Sequence, residues 1–99
     1  MTIIVVLDIP ATAETRDAIY TTLSEALVET RRFDGNEGLE LLINQEDDAN
    51  IVVYERWQSR EHYDRYLAFR QESGFSAKFR AMIPGTVVVR KFDIDRVYT

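Results

Sequence analysis

The sequence predicts an α+β fold: a four-stranded antiparallel sheet with its helices on one face. Two observations lead there. Apolar residues recur at strand spacing in four runs, the first at the N-terminus and the last before the C-terminus. Segments with helical spacing separate the first run from the second and the third from the fourth, and an acidic turn joins the middle two. The resulting order, β-α-β-β-α-β, is the ferredoxin-like split βαβ pattern. A chain of 99 residues is expected to form a single domain spanning 1–99.

Residues 2–9 (TIIVVLDI) carry apolar side chains at both parities, which suits a strand buried on both faces, and Pro10 ends it. Residues 12–31 read as a helix with Thr12 as its cap. Ile19, Leu23, Ala26, Leu27 and Thr30 share one face of that helix. Asp34-Gly35 signals the turn that follows. The second strand runs from Gly38 to Asn44, with Leu39, Leu41 and Ile43 on one side. Gln45-Glu46-Asp47-Asp48 is read as a solvated hairpin tip, because its carboxylates lack the spacing of a calcium loop. The third strand, Ile51 to Trp57, points Ile51, Val53, Glu55 and Trp57 one way and Val52, Tyr54 and Arg56 the other. Ser59 is placed to cap the next helix, which runs to about Ser73 and stops at Gly74. Phe75, Phe79, Met82 and Ile83 then repeat at helical spacing and predict a short additional helix, broken by Pro84-Gly85. Residues 86–94 form the last strand.

Composition narrows the function. A net charge of −5 disfavours nucleic acid and anionic membrane surfaces as partners. No apolar run is long enough to span a membrane, and the apolar start lacks the basic region of a signal peptide, so a cytoplasmic location is expected. There is no cysteine and one histidine, which removes thiolate chemistry and argues against a histidine-rich metal site. Two helices can cover only one face of the sheet, yet the strands are apolar on both. Leaving the second face wet would forgo on the order of 10 kcal/mol of burial. A homodimer with its sheets packed face to face is therefore expected.

The second helix has an unusual inward face. With Tyr66 at its centre, His62, Tyr63, Phe69 and Arg70 fall within about 60° on a helical wheel. A simple core has no need of these polar groups, since each must find a hydrogen-bond partner. A pocket for a hydroxylated aromatic would use flat apolar walls and a few convergent donors. The same residues can instead bury their rings and keep their polar tips at the surface, with Arg70 reaching outward.

Thr30-Arg31-x-x-x-Gly35 at the exit of the first helix resembles a motif of the antibiotic biosynthesis monooxygenase (ABM) family. Tyr54-Glu55-Arg56-Trp57 followed by Ser59, Glu61, Tyr63 and Tyr66 resembles that family too, and the likeness covers nearly the whole chain. The resemblance implies a dimeric α/β barrel built from two ferredoxin-like subunits, with a small cavity between sheet and helices in each. It also implies, in several members, a cofactor-independent oxygenation of quinols or anthrone-like polyphenols. The haem-degrading branch of the family uses an Asn in the first strand and a His about ten residues after the Trp. Here the first strand holds no Asn, the position ten after Trp57 is Leu67, and His62 comes too early, so no haem, metal or other cofactor is expected.

On this resemblance Trp57, Tyr66, His62 and Tyr63 are the candidate catalytic residues, with Phe69 and Arg70 binding substrate. Trp57 would orient the ring, Tyr63 and Tyr66 would bond its oxygens, and His62 or Arg70 would favour the anion. Which of His62, Tyr63 and Tyr66 acts as base stays open, although His62 has the side chain best suited to base work near pH 7. The partners expected are a second copy of the chain and a small aromatic or hydrophobic metabolite. The alternative is a non-catalytic binding or structural dimer of the same fold. An isomerase or lyase using the same side chains is a third reading.

Overall fold

The computed structural model describes residues 1–99. Its elements are β1 (Ile3–Pro10), α1 (Arg16–Arg32), β2 (Asn36–Ile43), β3 (Asn50–Trp57), α2 (Arg60–Glu72), α3 (Phe75–Met82) and β4 (Val88–Asp93). The sheet is four-stranded with order β2-β3-β1-β4, and all its pairings are antiparallel. This is the predicted ferredoxin-like α+β fold. No helix is long and apolar enough to cross a membrane.

Three boundaries differ from the sequence reading by two residues or more, each for a local reason. α1 begins at Arg16, four residues after the expected cap. Thr12 and Thr15 bond each other's backbone N–H groups through their hydroxyls (3.2 and 2.9 Å) and hold residues 13–15 in a tight turn before the helix. β2 begins at Asn36, not Gly38. A bulge between these residues lets Asn36 pair with Trp57, and the Asn36 side chain accepts the Gly38 N–H at 3.0 Å. β4 is shorter than 86–94, spanning Val88–Asp93, and every residue in it is exposed.

α2 starts and stops as its sequence dictates. The Ser59 hydroxyl accepts the His62 N–H (3.2 Å), and Gly74 takes the left-handed conformation (φ 80°) that separates α2 from α3.

The helices cover the sheet face formed by Ile3, Val5, Leu7 and Ile9 of β1 and Ile51, Val53, Glu55 and Trp57 of β3, which pair directly. Two apolar clusters result. One joins Ile9, Ile51 and Val53 to Ile19, Leu23 and Leu27 of α1 and to Phe79 and Ile83. The other joins Ile3, Val5 and Trp57 to Tyr63 and Tyr66 of α2. On the opposite sheet face Ile4 pairs with Phe92, Val6 with Tyr54, and Asp8 with Val52 and Val88. No element covers that face, and Leu42, Val88 and Phe92 stand exposed on it.

The α1–β2 turn pivots on Gly35, whose φ of +92° disfavours any side chain. A Cβ there would lie 2.4 Å from the His62 ring and Cβ. Gly35→Ala should therefore destabilise the fold by about 1–3 kcal/mol in urea titration. In a His62→Ala background the ring contacts are gone but the Cβ contact and the backbone strain remain, so the loss should be only partly recovered.

Candidate active site

A cavity of about 130 Å³ lies between the sheet and the helices. Its floor is Leu7, Val53 and Glu55. Leu23, Ala26, Leu27 and Thr30 of α1 form one wall, and Tyr63, Tyr66, Leu67 and Arg70 of α2 another. Phe75, Ser76, Phe79 and Arg80 of α3 close it, together with Val87 and Val89. α3 adds Phe79 to the first apolar cluster, and the cavity lies where the polar groups of α1 and α2 face inward.

Arg70 organises one wall. It is buried, and all its bonds run to α1 or to Tyr66. Its Nε donates to the Tyr66 hydroxyl (2.8 Å), its Nη1 to Glu29 (2.7 Å), and its Nη2 to the Ala26 carbonyl (2.8 Å) and the Thr30 hydroxyl (3.1 Å). The Tyr66 and Thr30 hydroxyls bond each other at 2.7 Å, and Thr30 lies 3.3 Å from the Ala26 carbonyl, to which it can donate. Every polar side-chain atom of this Arg70–Tyr66–Thr30 network has a partner, as burial requires. The guanidinium also stacks on Phe75, 4.6 Å from the ring centre.

The other polar groups are less committed. Glu55 is buried, and one carboxylate oxygen, Oε1, accepts the Trp57 indole N–H at 2.9 Å. Desolvation pushes its pKa up to about 7, against the opposing pull of the Trp57 bond and the Arg70 charge. Tyr63 lines the cavity, and no hydrogen bond within the chain engages its hydroxyl. Burial, with Glu55 and Tyr66 nearby, raises its pKa well above the usual tyrosine value, so it remains a neutral donor across the working pH range. Burial also raises Tyr66, while the bonds from Arg70 and Thr30 oppose the shift.

The residues nominated from sequence therefore divide. Tyr63, Tyr66 and Arg70 line the cavity. Trp57 is fully buried behind it, 5.0 Å from the Tyr66 ring centre and 5.7 Å from that of Tyr63, and reaches the cavity only through Glu55. Phe69 packs on Phe33, with ring centres 5.4 Å apart, outside the cavity lining. His62 lies at the start of α2, away from the cavity. Its Nδ1 pairs with the Ser59 hydroxyl (2.7 Å) and its Nε2 faces Asp34 at 3.8 Å. No group of three His, Asp or Glu side chains converges anywhere in the chain.

Glu55 and Thr30 are the functional candidates that sequence reasoning did not nominate. The signal for Glu55 was present: a charged residue at the inward parity of a strand, between Val53 and Trp57.

Residues 2–85 match the family model of antibiotic biosynthesis monooxygenase (ABM). The chain belongs to the ABM family. Its fold is similar to that of Rv0793 from Mycobacterium tuberculosis, at 18% identity, full coverage of both chains and a TM-score of 0.87. It is similar to a mutant of SnoaB, a cofactor-independent oxygenase from Streptomyces nogalater, at 16% identity, covering 97% and 95% of the two chains with a TM-score of 0.83. It is also similar to the monooxygenase ActVA-Orf6 of Streptomyces coelicolor in complex with nanaomycin D, at 14% identity, covering 98% and 90% with a TM-score of 0.81. At these identities the likeness shows the fold. No curated protein sequence matches the chain at a significant level.

The raised Glu55 pKa has a consequence for stability. The buried carboxyl favours the neutral form, so its contribution is fully present below the unfolded value near 4.5 and is lost as pH rises through about 7. Ionising it at pH 8 should cost about 3 kcal/mol. Glu55→Gln keeps an acceptor for Trp57 and removes the charge. Thermal melts should show the variant more stable than the parent at pH 8 and similar to it at pH 4.

Proposed function

We propose that this ABM-family chain is a cofactor-independent monooxygenase acting on a small hydroxylated aromatic. The observation that carries the reading is the cavity itself. It combines apolar and aromatic walls, which hold a phenol ring, with a neutral tyrosine donor, which stabilises its anion, and with a titratable carboxyl beside them. In the reaction the phenol loses its proton and the phenolate passes one electron to dioxygen. Superoxide and the aryloxyl radical combine to form a C–O bond. The resulting hydroperoxide loses water, so a ring C–H becomes a carbonyl and the second oxygen atom leaves as water. For a quinol the product is a hydroxyquinone.

Volume selects between the substrate types. A cavity of about 150 Å³ holds one benzene ring, and this one, at about 130 Å³, is of that size. A single-ring quinol is the substrate type nearest this size and needs only small adjustments of the walls, whereas the three fused rings of an anthrone would need α3 to move away from the sheet.

The second reading, a binding protein without turnover, draws on the Arg70 chain. Tyr66, Thr30 and Arg70 already satisfy one another and need no ligand. Thermal stabilisation by a quinol with no oxygen uptake would favour it. The uncovered sheet face supports a homodimer that buries Ile4, Val6, Tyr54 and Phe92 between two sheets, as in an α/β barrel.

Oxygen-electrode measurements with single-ring quinols should show uptake and a hydroxyquinone product. Tyr63→Phe, which removes the free donor, should lower kcat about a hundredfold. Absence of uptake with any quinol would overturn the enzymatic reading. Light scattering should return about twice the 11.5 kDa chain mass, and Phe92→Glu should shift the protein towards monomer.

A further inference from the structure

We propose that Glu55 is the catalytic base that takes the phenolic proton, and that Trp57 is the positioning residue that aims its carboxylate. This rests on the reading of the chain as an oxidant of hydroxylated aromatics.

Glu55 is the only carboxylate lining the cavity. One of its oxygens is held by the Trp57 N–H at 2.9 Å, and that is the only side-chain hydrogen bond acting on the carboxyl. The second oxygen is left with its lone pairs for a ligand in the cavity. The clamp is rigid, because the fully buried indole is wedged against the rings of Tyr63 and Tyr66 and cannot swing away. A carboxylate so placed is dry, fixed and a stronger base than one in water.

The other candidates are engaged elsewhere or unsuited. His62 is tied to Ser59 and faces Asp34 outside the cavity. The Tyr66 hydroxyl is held by Arg70 and Thr30. The Tyr63 hydroxyl stays protonated, which suits a donor to the phenolate and not a base. Proton transfer therefore runs from the substrate hydroxyl to the free Glu55 oxygen, with Tyr63 donating to the phenolate oxygen. The neutral Glu55 then bears no charge that would repel the phenolate. After the electron passes to dioxygen, the proton on Glu55 is available to the superoxide-derived peroxide oxygen. That step completes the hydroperoxide and restores the carboxylate.

Several groups set the working pH. From α2, Arg70, Tyr63 and Tyr66 face Glu55, and Arg70 in turn carries Glu29 of α1. Thr30 of α1 and Arg80 of α3 line the same cavity. On the sheet, Val5 and Leu39 flank Glu55 without charge. Lys91 of β4, beyond Val5, lies 6.0 Å from the centre of the Tyr63 ring.

The test measures kcat/KM against pH for the parent, Glu55→Gln and Trp57→Phe, using two phenols of similar size. One is a single-ring quinol. The other is an electron-withdrawing ring-substituted quinol already ionised at the assay pH. The parent should show an acidic limb with its midpoint near 7 on the first substrate. Glu55→Gln should lose about a hundredfold in kcat and the limb with it, yet approach parent turnover on the ionised substrate. Trp57→Phe removes a bond that favours the carboxylate, so its limb should move to higher pH with KM little changed. Equal loss by Glu55→Gln on both substrates, or parent-like turnover on the first, overturns the base assignment while the oxygenase reading stands. Should Glu55→Gln fail to fold, an unmoved limb in Trp57→Phe overturns it instead. A parent that consumes no oxygen with either substrate overturns the oxygenase reading, and the base assignment falls with it.

Discussion

The hydrogen bond from Trp57 to Glu55 couples the fold to the site. β3 alternates strictly, so the residue between Val53 and Trp57 must point under the helices. That residue is a glutamate. A carboxylate placed there with no compensation would be driven to its neutral form by several kcal/mol. The indole N–H, supplied two residues along the same strand face, lowers that penalty, and Arg70 lowers it further from above. The result is a group poised between its two protonation states and not locked in either. A stable core would place an apolar residue here, so the arrangement gives up stability at neutral pH to keep a titratable oxygen on the cavity floor.

The Arg70 network explains why the cavity does not collapse. Arg70 crosses from α2 to α1 and bonds both side chains and a backbone carbonyl there. It ties the two helices together across the span of its guanidinium. The cluster of Ile19, Leu23 and Leu27 closes one end, and the aromatic cluster around Trp57 closes the other. Between them the helices cannot settle onto Val53 and Glu55, and α3 roofs the gap with Phe75 and Phe79. The polar network acts as a spacer between the two apolar clusters.

The fold was legible because its signals are local and periodic. Strand parity placed Ile51, Val53, Glu55 and Trp57 together, Ser59 and Gly74 bounded α2, and Phe75 with Phe79 marked α3. The site was legible only in part. The helical wheel correctly turned Tyr63, Tyr66 and Arg70 inward, but wheel angle ignores position along the axis. His62 sits in the first turn, where the Ser59 cap and the Gly35 backbone hold its ring at the end of the sheet. Phe69 lies at the edge of the same stripe and meets Phe33 before it can reach the cavity. Glu55 was visible by parity, yet its importance depends on what sits above it. That involves residues from three helices whose distances no local pattern encodes. The Thr12–Thr15 turn shows the same limit on a smaller scale: a good cap residue was identified, but the helix it feeds starts one turn later.

β4 links the two faces of the sheet. All its residues are exposed, and its only strand partner is β1. Its outer side carries Val88 and Phe92 on the uncovered face, while Val89 lines the cavity on the inner side. An edge strand so lightly buried is the part of the sheet most prone to local opening. Any partner that covers the outer face must bury Val88 and Phe92, and in doing so it fixes Val89 from behind. Docking on one face would then stiffen the cavity wall on the other without touching a ligand. In the proposed reaction the cavity is sensitive to such stiffening, because each opening of β4 would admit solvent towards Tyr63 and Glu55 and weaken the desolvation that raises the Glu55 pKa. In that physical sense the unpaired sheet face and the buried glutamate belong to one problem.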